Sequence, residues 1–164
     1  MILAVDVHYR GSRAVAAGVL FRDWEDREAF LELAVPCSTA AAYEPGQFYA
    51  RELPCILALL RQIEGMPDAI VIDGYVYLGS DRRAGLGKHL FDALQGRSAV
   101  IGVAKSRFAD TPAEAEVLRG GSRRALYVTA TGIGEPDARN CIARMHGEGR
   151  LPALLRRADR LSKL

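Results

Sequence analysis

Three carboxylates stand where an apolar chain would normally exclude them. Asp6 interrupts the opening run ILAVDV, Asp73 ends the run AIVID, and Glu52 lies at the start of an apolar-periodic segment between the two. A lone aspartate inside a buried strand carries a desolvation cost unless its charge is compensated. If the two runs are neighbouring strands, Asp6 and Asp73 come close together, and like charges at short range require a shared proton or a cation. A hard divalent ion takes oxygen ligands of this kind. Mg²⁺ or Mn²⁺ held by carboxylates suits phosphodiester hydrolysis, because metal activates water and stabilises the leaving oxygen. Each acid also has an ordinary role open to it: Asp6 and Asp73 as turn caps, Glu52 as a solvated helix-start acid favoured by the dipole.

The elements that must position these groups follow from the patterning. ILAVDV (2–7), SRAVAAGVLF (12–21) and FLELAVP (30–36) read as three strands joined by polar turns, with WEDREAF forming a short helical turn. Leu53, Ile56, Leu57, Leu60 and Ile63 recur at helical spacing until Gly65, Met66 and Pro67 stop the helix. AIVID (69–73), SAVIGVA (98–104) and ALYVTA (125–130) are further buried strands. Leu86 to Leu94, Pro136 to about His146, and LPALLRRADRLSKL are helices, while 106–124 is polar and without a clear period. Hairpin strands followed by alternating helices and strands predict a mixed α/β sheet flanked by helices, in a single domain over 1–164. Gly74 breaks the apolar run directly after Asp73, so that acid is presented at a strand's carboxyl end, where open sheets collect ligands.

Bulk properties narrow the class. The chain has 164 residues, 49% of them apolar and 26% charged, and a formal charge of +2. That is one soluble globular domain with no global field announcing a polyanion. Arginines nevertheless accumulate late, at 119, 123, 124, 139, 144, 150, 156, 157 and 160. Such a run is compatible with phosphate binding or with a solvated face. Cys37, Cys55 and Cys141 are odd in number and lack a CxxC, which predicts reduced thiols and a cytoplasmic protein. MILAVDV lacks the basic leader of a signal peptide, and no apolar run approaches the ~18 residues of a membrane span. GLGKH is not a phosphate loop: Arg82 stands where its first glycine belongs and His89 where Ser or Thr is needed. His8, His89, His146 and the cysteines are too scattered for zinc.

AVDVHY, YEPGQFYARELP, PDAIVIDGYVYL, AGLGKHL, IGVAKS and RLPALLRRADRL occur in order along nearly the whole chain. Together they resemble the endonuclease V family, and the chain looks like a short, diverged member of it. The resemblance implies a ribonuclease-H-like fold and a Mg²⁺- or Mn²⁺-dependent endonuclease. Its substrate would be DNA or RNA carrying deaminated, inosine-type bases, in a repair-type role. By resemblance, Asp6 and Asp73 are the metal-binding aspartates, Glu52 is their acidic partner, and Lys105 is the active-site lysine near the scissile phosphate. Tyr43, Pro45 and Gly46 match the family's aromatic-Pro-Gly wedge, and wedges of this chemistry can unstack bases.

The resemblance has two departures. The family has DGHG where this chain has DGYV, so Tyr75 takes the place of a histidine. The GSDRRAG run that follows is irregular, yet it leaves Arg82, Arg83 and Lys88 as phosphate contacts. His89 matches a family histidine whose role is structural or catalytic. Where the family reads Gly-His-Arg, with its histidine expected near the metal, this chain has ATGIGEPDA. Glu135 or Asp137 could return an acid to the metal there, or serve as ordinary helix-start acids. The competing expectation is a catalytically impaired relative that binds nucleic acid or a protein partner on the same scaffold.

Overall fold

The computed structural model describes residues 1–38 and 49–164. The wedge residues Tyr43, Pro45 and Gly46 lie outside the described residues.

Three antiparallel strands open the chain: β1 (Ile2–Arg10), β2 (Arg13–Phe21) and β3 (Leu31–Ser38). Helix α1 (Tyr49–Leu60) leads to β4 (Ala69–Asp73), which pairs parallel with β1. A small hairpin, β5 (Tyr77–Leu78) and β6 (Arg83–Ala84), precedes α2 (Leu86–Ala93) and β7 (Ala99–Ala104), which runs parallel to β4. The two-residue strand β8 (Glu116–Val117) and β9 (Leu126–Thr131) complete a seven-stranded sheet ordered β3-β2-β1-β4-β7-β9-β8. Helices α3 (Glu135–Ala143) and α4 (Ala153–Ser162) end the chain.

The sheet separates two apolar cores because side chains alternate across each strand. Ile2, Ala4, Val71, Val103 and Val128 face α3 and α4, which contribute Ile142, Leu154 and Ala158. Leu3, Val5, Ile70 and Ile72 face the other way, against Cys55, Ile56 and Leu59 of α1 and Leu90 of α2. Both faces of β1 and β4 are thereby covered, which accounts for their continuous apolar runs.

The mixed sheet flanked by helices agrees with expectation, and several local expectations are corrected. WEDREAF is not helical. The carboxylate of Asp26 accepts the backbone N–H groups of Arg22 and Asp23 at 2.9 and 3.0 Å, closing an irregular turn that satisfies donors a helix would have used. β3 continues past Pro36 to Ser38, since it is an edge strand and one of its sides requires no donor. α3 stops at Ala143, short of His146. The guanidinium of Arg119 bonds the carbonyls of Met145 and Gly147 at 2.6 and 3.0 Å and holds that stretch as a loop. Residues 106–124 contain the 3₁₀ turn Ala113–Ala115 and β8, elements too short to show a period.

A candidate carboxylate site at the strand ends

The site is built where β1 and β4 run side by side. Val5 pairs with Ile72, so Asp6 and Asp73 follow as neighbours on adjacent parallel strands, as the two interrupted runs imply. Asp73 is exposed at the end of its strand, presented rather than trapped. Glu52 arrives from α1. The buried stripe of that helix is Cys55, Ile56 and Leu59, and Glu52 shares it by spacing of three, four and seven residues. Leu53, Leu57 and Leu60, which the apolar period emphasises, only flank that stripe. A small cavity of ≈ 40 Å³ is bordered by Asp6, Glu52 and Asp73, with Ile56 and Leu86 beside them.

The charge of Asp73 acts on both of the other acids. Burial, then the nearby charges of Asp73 and Asp6, push the Glu52 carboxyl up to about 8. Burial also raises the pKa of Asp6, against a lowering hydrogen bond from Ser162 and with further upward pressure from Asp73 and Asp159. Two apolar walls and mutual repulsion therefore favour either protons or a cation among these groups.

Lys105, just beyond β7, supplies one positive charge. Its Nζ lies 3.1 Å from Asp73 Oδ2 and 3.7 Å from Asp159 Oδ1. Burial works against its charge, yet Asp73, Asp159 and Asp6 together raise its pKa. Its backbone is pinned as well, because the Arg150 guanidinium donates to the Lys105 carbonyl and, at 2.7 Å, to that of Ala125. Tyr75 secures the following loop. Its hydroxyl donates to the Ser106 carbonyl at 2.7 Å and accepts the Phe108 N–H at 3.0 Å. The residue in the histidine's place thus holds the segment that carries the lysine.

Sequence reasoning missed Asp159, Ser162 and the anchoring role of Arg150. Leu154, Ala158 and Ser162 are the buried stripe of α4, which places Asp159 on the border of a second cavity, ≈ 20 Å³, shared with Asp6, Asp73 and Lys105. Ser162 Oγ lies 2.6 Å from Asp6 Oδ2 and 2.8 Å from the Asp159 carbonyl, and its single proton serves one acceptor at a time. All three residues sit in or beside the RLPALLRRADRL block, where an acid next to a buried stripe was the available signal.

The other expected residues are placed elsewhere. Glu135 binds Arg82 at 2.7 Å and lines a separate cavity of ≈ 240 Å³ with Tyr77, Thr129 and Arg139. β9 runs antiparallel to β7, with Thr131 opposite Val100, whereas Asp73 lies opposite Val103. The chain therefore leaves β9 at the end of the strands opposite the carboxylates. Neither Glu135 nor Asp137, both in the first turn of α3, is brought to them. The ATGIGEPDA segment, expected beside the metal, has the same remote position. Arg83 pairs with Asp81 at 3.3 Å, and Lys88 with Asp92 at 2.7 Å. His89 stacks on Tyr49 with ring centroids 3.7 Å apart, joining α2 to the start of α1.

The donor chemistry fits a hard divalent ion: carboxylate oxygens only, around a cavity with room for about one small ion and a water. Among the described residues no three such side chains already converge as a ligand cluster. One oxygen of Asp6 is taken by Ser162 and one of Asp73 by Lys105, which leaves each a second oxygen.

A ribonuclease-H-like α/β fold with carboxylates at the ends of its adjacent parallel strands defines a class of protein. Within that class the chain belongs to the endonuclease V family, whose family model matches residues 1–136. It is 34% identical over 126 residues to endonuclease V of Streptomyces coelicolor, covering 76% of this chain and 53% of that protein. It is 32% identical over 171 residues to endonuclease V of Trichormus variabilis, covering 92% of this chain and 75% of that one. The chain thus spans about half the length of several curated relatives it matches. Among solved structures, endonuclease V of Streptomyces avermitilis is 27% identical with a TM-score of 0.75, covering 99% of this chain and 79% of that one. Ciona intestinalis endonuclease V, in complex with a 24mer DNA containing an inosine followed by a ribo-adenosine, has a TM-score of 0.81 at 17% identity. That match covers 99% of this chain and 83% of the Ciona chain. Among the described residues no helix is long and apolar enough to cross a membrane.

Proposed function

We propose that this protein is a divalent-metal-dependent endonuclease that hydrolyses a phosphodiester near deaminated, inosine-type bases. The observation that carries this reading is the enclosure of one small cavity by Asp6, Glu52 and Asp73, the last of which is paired with Lys105. Asp6, Asp73 and Glu52 would hold Mg²⁺ or Mn²⁺, with Asp159 facing the same strands from α4. The bound ion supplies an activated water and charge stabilisation at the leaving oxygen. Lys105 neutralises the carboxylates between turnovers and offers its ammonium to a non-bridging phosphate oxygen. The apolar side chains around Glu52, those of Val5, Ile56, Ile72 and Leu86, exclude bulk water from one side. The ion pairs of Arg83 and Lys88 are exposed and worth little in water, so a nucleic-acid phosphate can replace either carboxylate partner. Tyr43, Pro45 and Gly46 would read the distorted or deaminated position in a DNA or RNA strand.

The test is nicking of an inosine-containing strand by purified protein with Mn²⁺ or Mg²⁺. Wild type should nick it, and both Asp6→Ala and Asp73→Asn should abolish cleavage. Absence of cleavage with either ion ends the enzyme reading. The binding-only reading rests on the Lys105–Asp73 ion pair, which occupies one oxygen of a metal ligand. It prevails if Mn²⁺ fails to displace that pair while the protein still binds the strand.

A further inference from the structure

The even-numbered residues of β1 face α4, since Ile2 and Ala4 lie in the core on that side. Alternation carries Asp6, His8 and Arg10 onto the same face. Arg13 pairs across the hairpin with Arg10 and shares that face, in step with Val19 and Phe21 of the same core. Two guanidinium groups directly opposite each other repel, so the hairpin gains nothing from this pair. Among the described residues no carboxylate forms a salt bridge with either of them. Arg10 donates to the Lys163 carbonyl at 2.7 Å, which orients its guanidinium without neutralising it.

A cavity of ≈ 200 Å³ opens at this point, lined by His8, Arg10, Arg13, Ser162 and Leu164. Ser162 also donates to Asp6, so one side chain separates this cavity from the carboxylate site. Residues two apart on a strand are roughly 6.6 Å apart. That step, from Asp6 to His8 to Arg10, is close to the repeat of phosphates along an extended nucleotide strand.

We propose that His8, Arg10 and Arg13 form a docking track for two successive backbone phosphates flanking the phosphodiester held at Asp6. The assignment of the cleaved bond rests on the nuclease reading; the anion track rests on the cavity and the unneutralised arginine pair. The imidazole N–H and the guanidinium forks donate to phosphate oxygens, a contact that positions a strand without reading its bases. Occupation by a polyanion also removes the Arg10–Arg13 repulsion.

The test measures binding of a labelled single-stranded 15-mer containing one inosine, in EDTA to prevent cleavage, across a salt series. An Arg10→Gln/Arg13→Gln variant should bind about 5- to 50-fold more weakly. Its slope of log K against log salt should be shallower by about 1.4, two contacts at ~0.7 each for a single strand. Arg13→Gln alone, which leaves the Arg10–Lys163 bond in place, should lose about half that slope, with folding checked by circular dichroism. Single methylphosphonates along the strand should weaken wild type at two neighbouring positions, and the double variant should lose that sensitivity at the position farther from Asp6, where Arg10 and Arg13 pair. An unchanged slope in the variants, or no measurable binding by wild type, overturns the track. If wild type nicks inosine strands while the variants keep its slope, the track falls and the nuclease stands. If nothing is nicked but the slope is lost, the nuclease falls and the track stands.

Discussion

Ser162 Oγ donates to Asp6 Oδ2 at 2.6 Å, tying the last turn of α4 to the strand that carries the central aspartate. The hydroxyl is buried and its acceptor is a carboxylate, so the bond belongs to the stronger, charge-assisted kind. Ser162→Ala should cost about 1.5–3 kcal/mol in urea unfolding at pH 8. The cost should shrink at acid pH, where Asp6 binds its proton. Ser162→Thr keeps the hydroxyl and should recover most of the loss; equal losses in both variants would make packing, not the bond, the cause.

Glu52 sets a pH dependence whose sign is opposite to that of a salt-bridged acid. Its carboxyl titrates near 8 in the folded chain against an ordinary 4.5, so the folded state holds the proton longer than the unfolded one. Stability of the metal-free protein is therefore greatest below about pH 4.5 as far as this group is concerned, and declines as pH rises toward 8. The loss is a few kcal/mol at most, by order of magnitude. The raised pKa of Asp6 acts in the same direction. Glu52→Gln should flatten the decline in thermal melts between pH 5 and 8, and a decline of unchanged steepness would assign it to other groups.

Lys105 has two opposing duties that one substitution separates. It compensates Asp73 and Asp159 in the free protein, and it faces phosphate in the proposed reaction. Lys105→Met removes a competitor for the carboxylates, so Mn²⁺ should bind several-fold more tightly by calorimetry. Nicking should fall by roughly 10²–10³, the usual loss for one group stabilising transition-state charge. Weaker Mn²⁺ binding would show that the lysine organises the site rather than competing for it.

Arg119 is a structural arginine. It is buried, and its Nη atoms donate to the carbonyls of Met145, Gly147 and Gly149 at 2.6, 3.0 and 3.1 Å. Burial lowers its pKa, yet it stays charged at any working pH. Arg119→Ala should destabilise the fold by roughly 3 kcal/mol, because several carbonyls lose a charged donor at once. Arg119→Lys should recover little, since an ammonium cannot span that fork. Rescue by lysine in a denaturation series would show that charge alone suffices.

The arginine-rich second half illustrates how far composition reaches. Phosphate contacts and a solvated face were the meanings available to a string of residue types. Arg119 and Arg156 instead use their guanidinium groups on backbone carbonyls of the loop between α3 and α4, and Arg150, within that loop, bonds the carbonyls of Lys105 and Ala125. A helix or strand period reports which side chains face inward, but a loop has no period, so nothing along 144–152 signals that it needs buried donors.

The chain by itself determined the order of the long strands and helices and the place of Asp6 and Asp73 on them, because an acid inside a run of buried β-branched residues is a local anomaly. It also determined the family, since six short blocks keep their order along the chain. Tertiary structure alone decided which acids meet. Parallel pairing of β1 with β4 brings two aspartates together, and the face of α1 adds Glu52. The antiparallel direction of β9 starts the Glu135 and Asp137 segment from the opposite end of the strands, while α4 returns Asp159 and Ser162 to the site. Strand direction and helix rotation are set by contacts between distant segments. Residues more than a hundred positions apart therefore share the site without any local pattern to announce them.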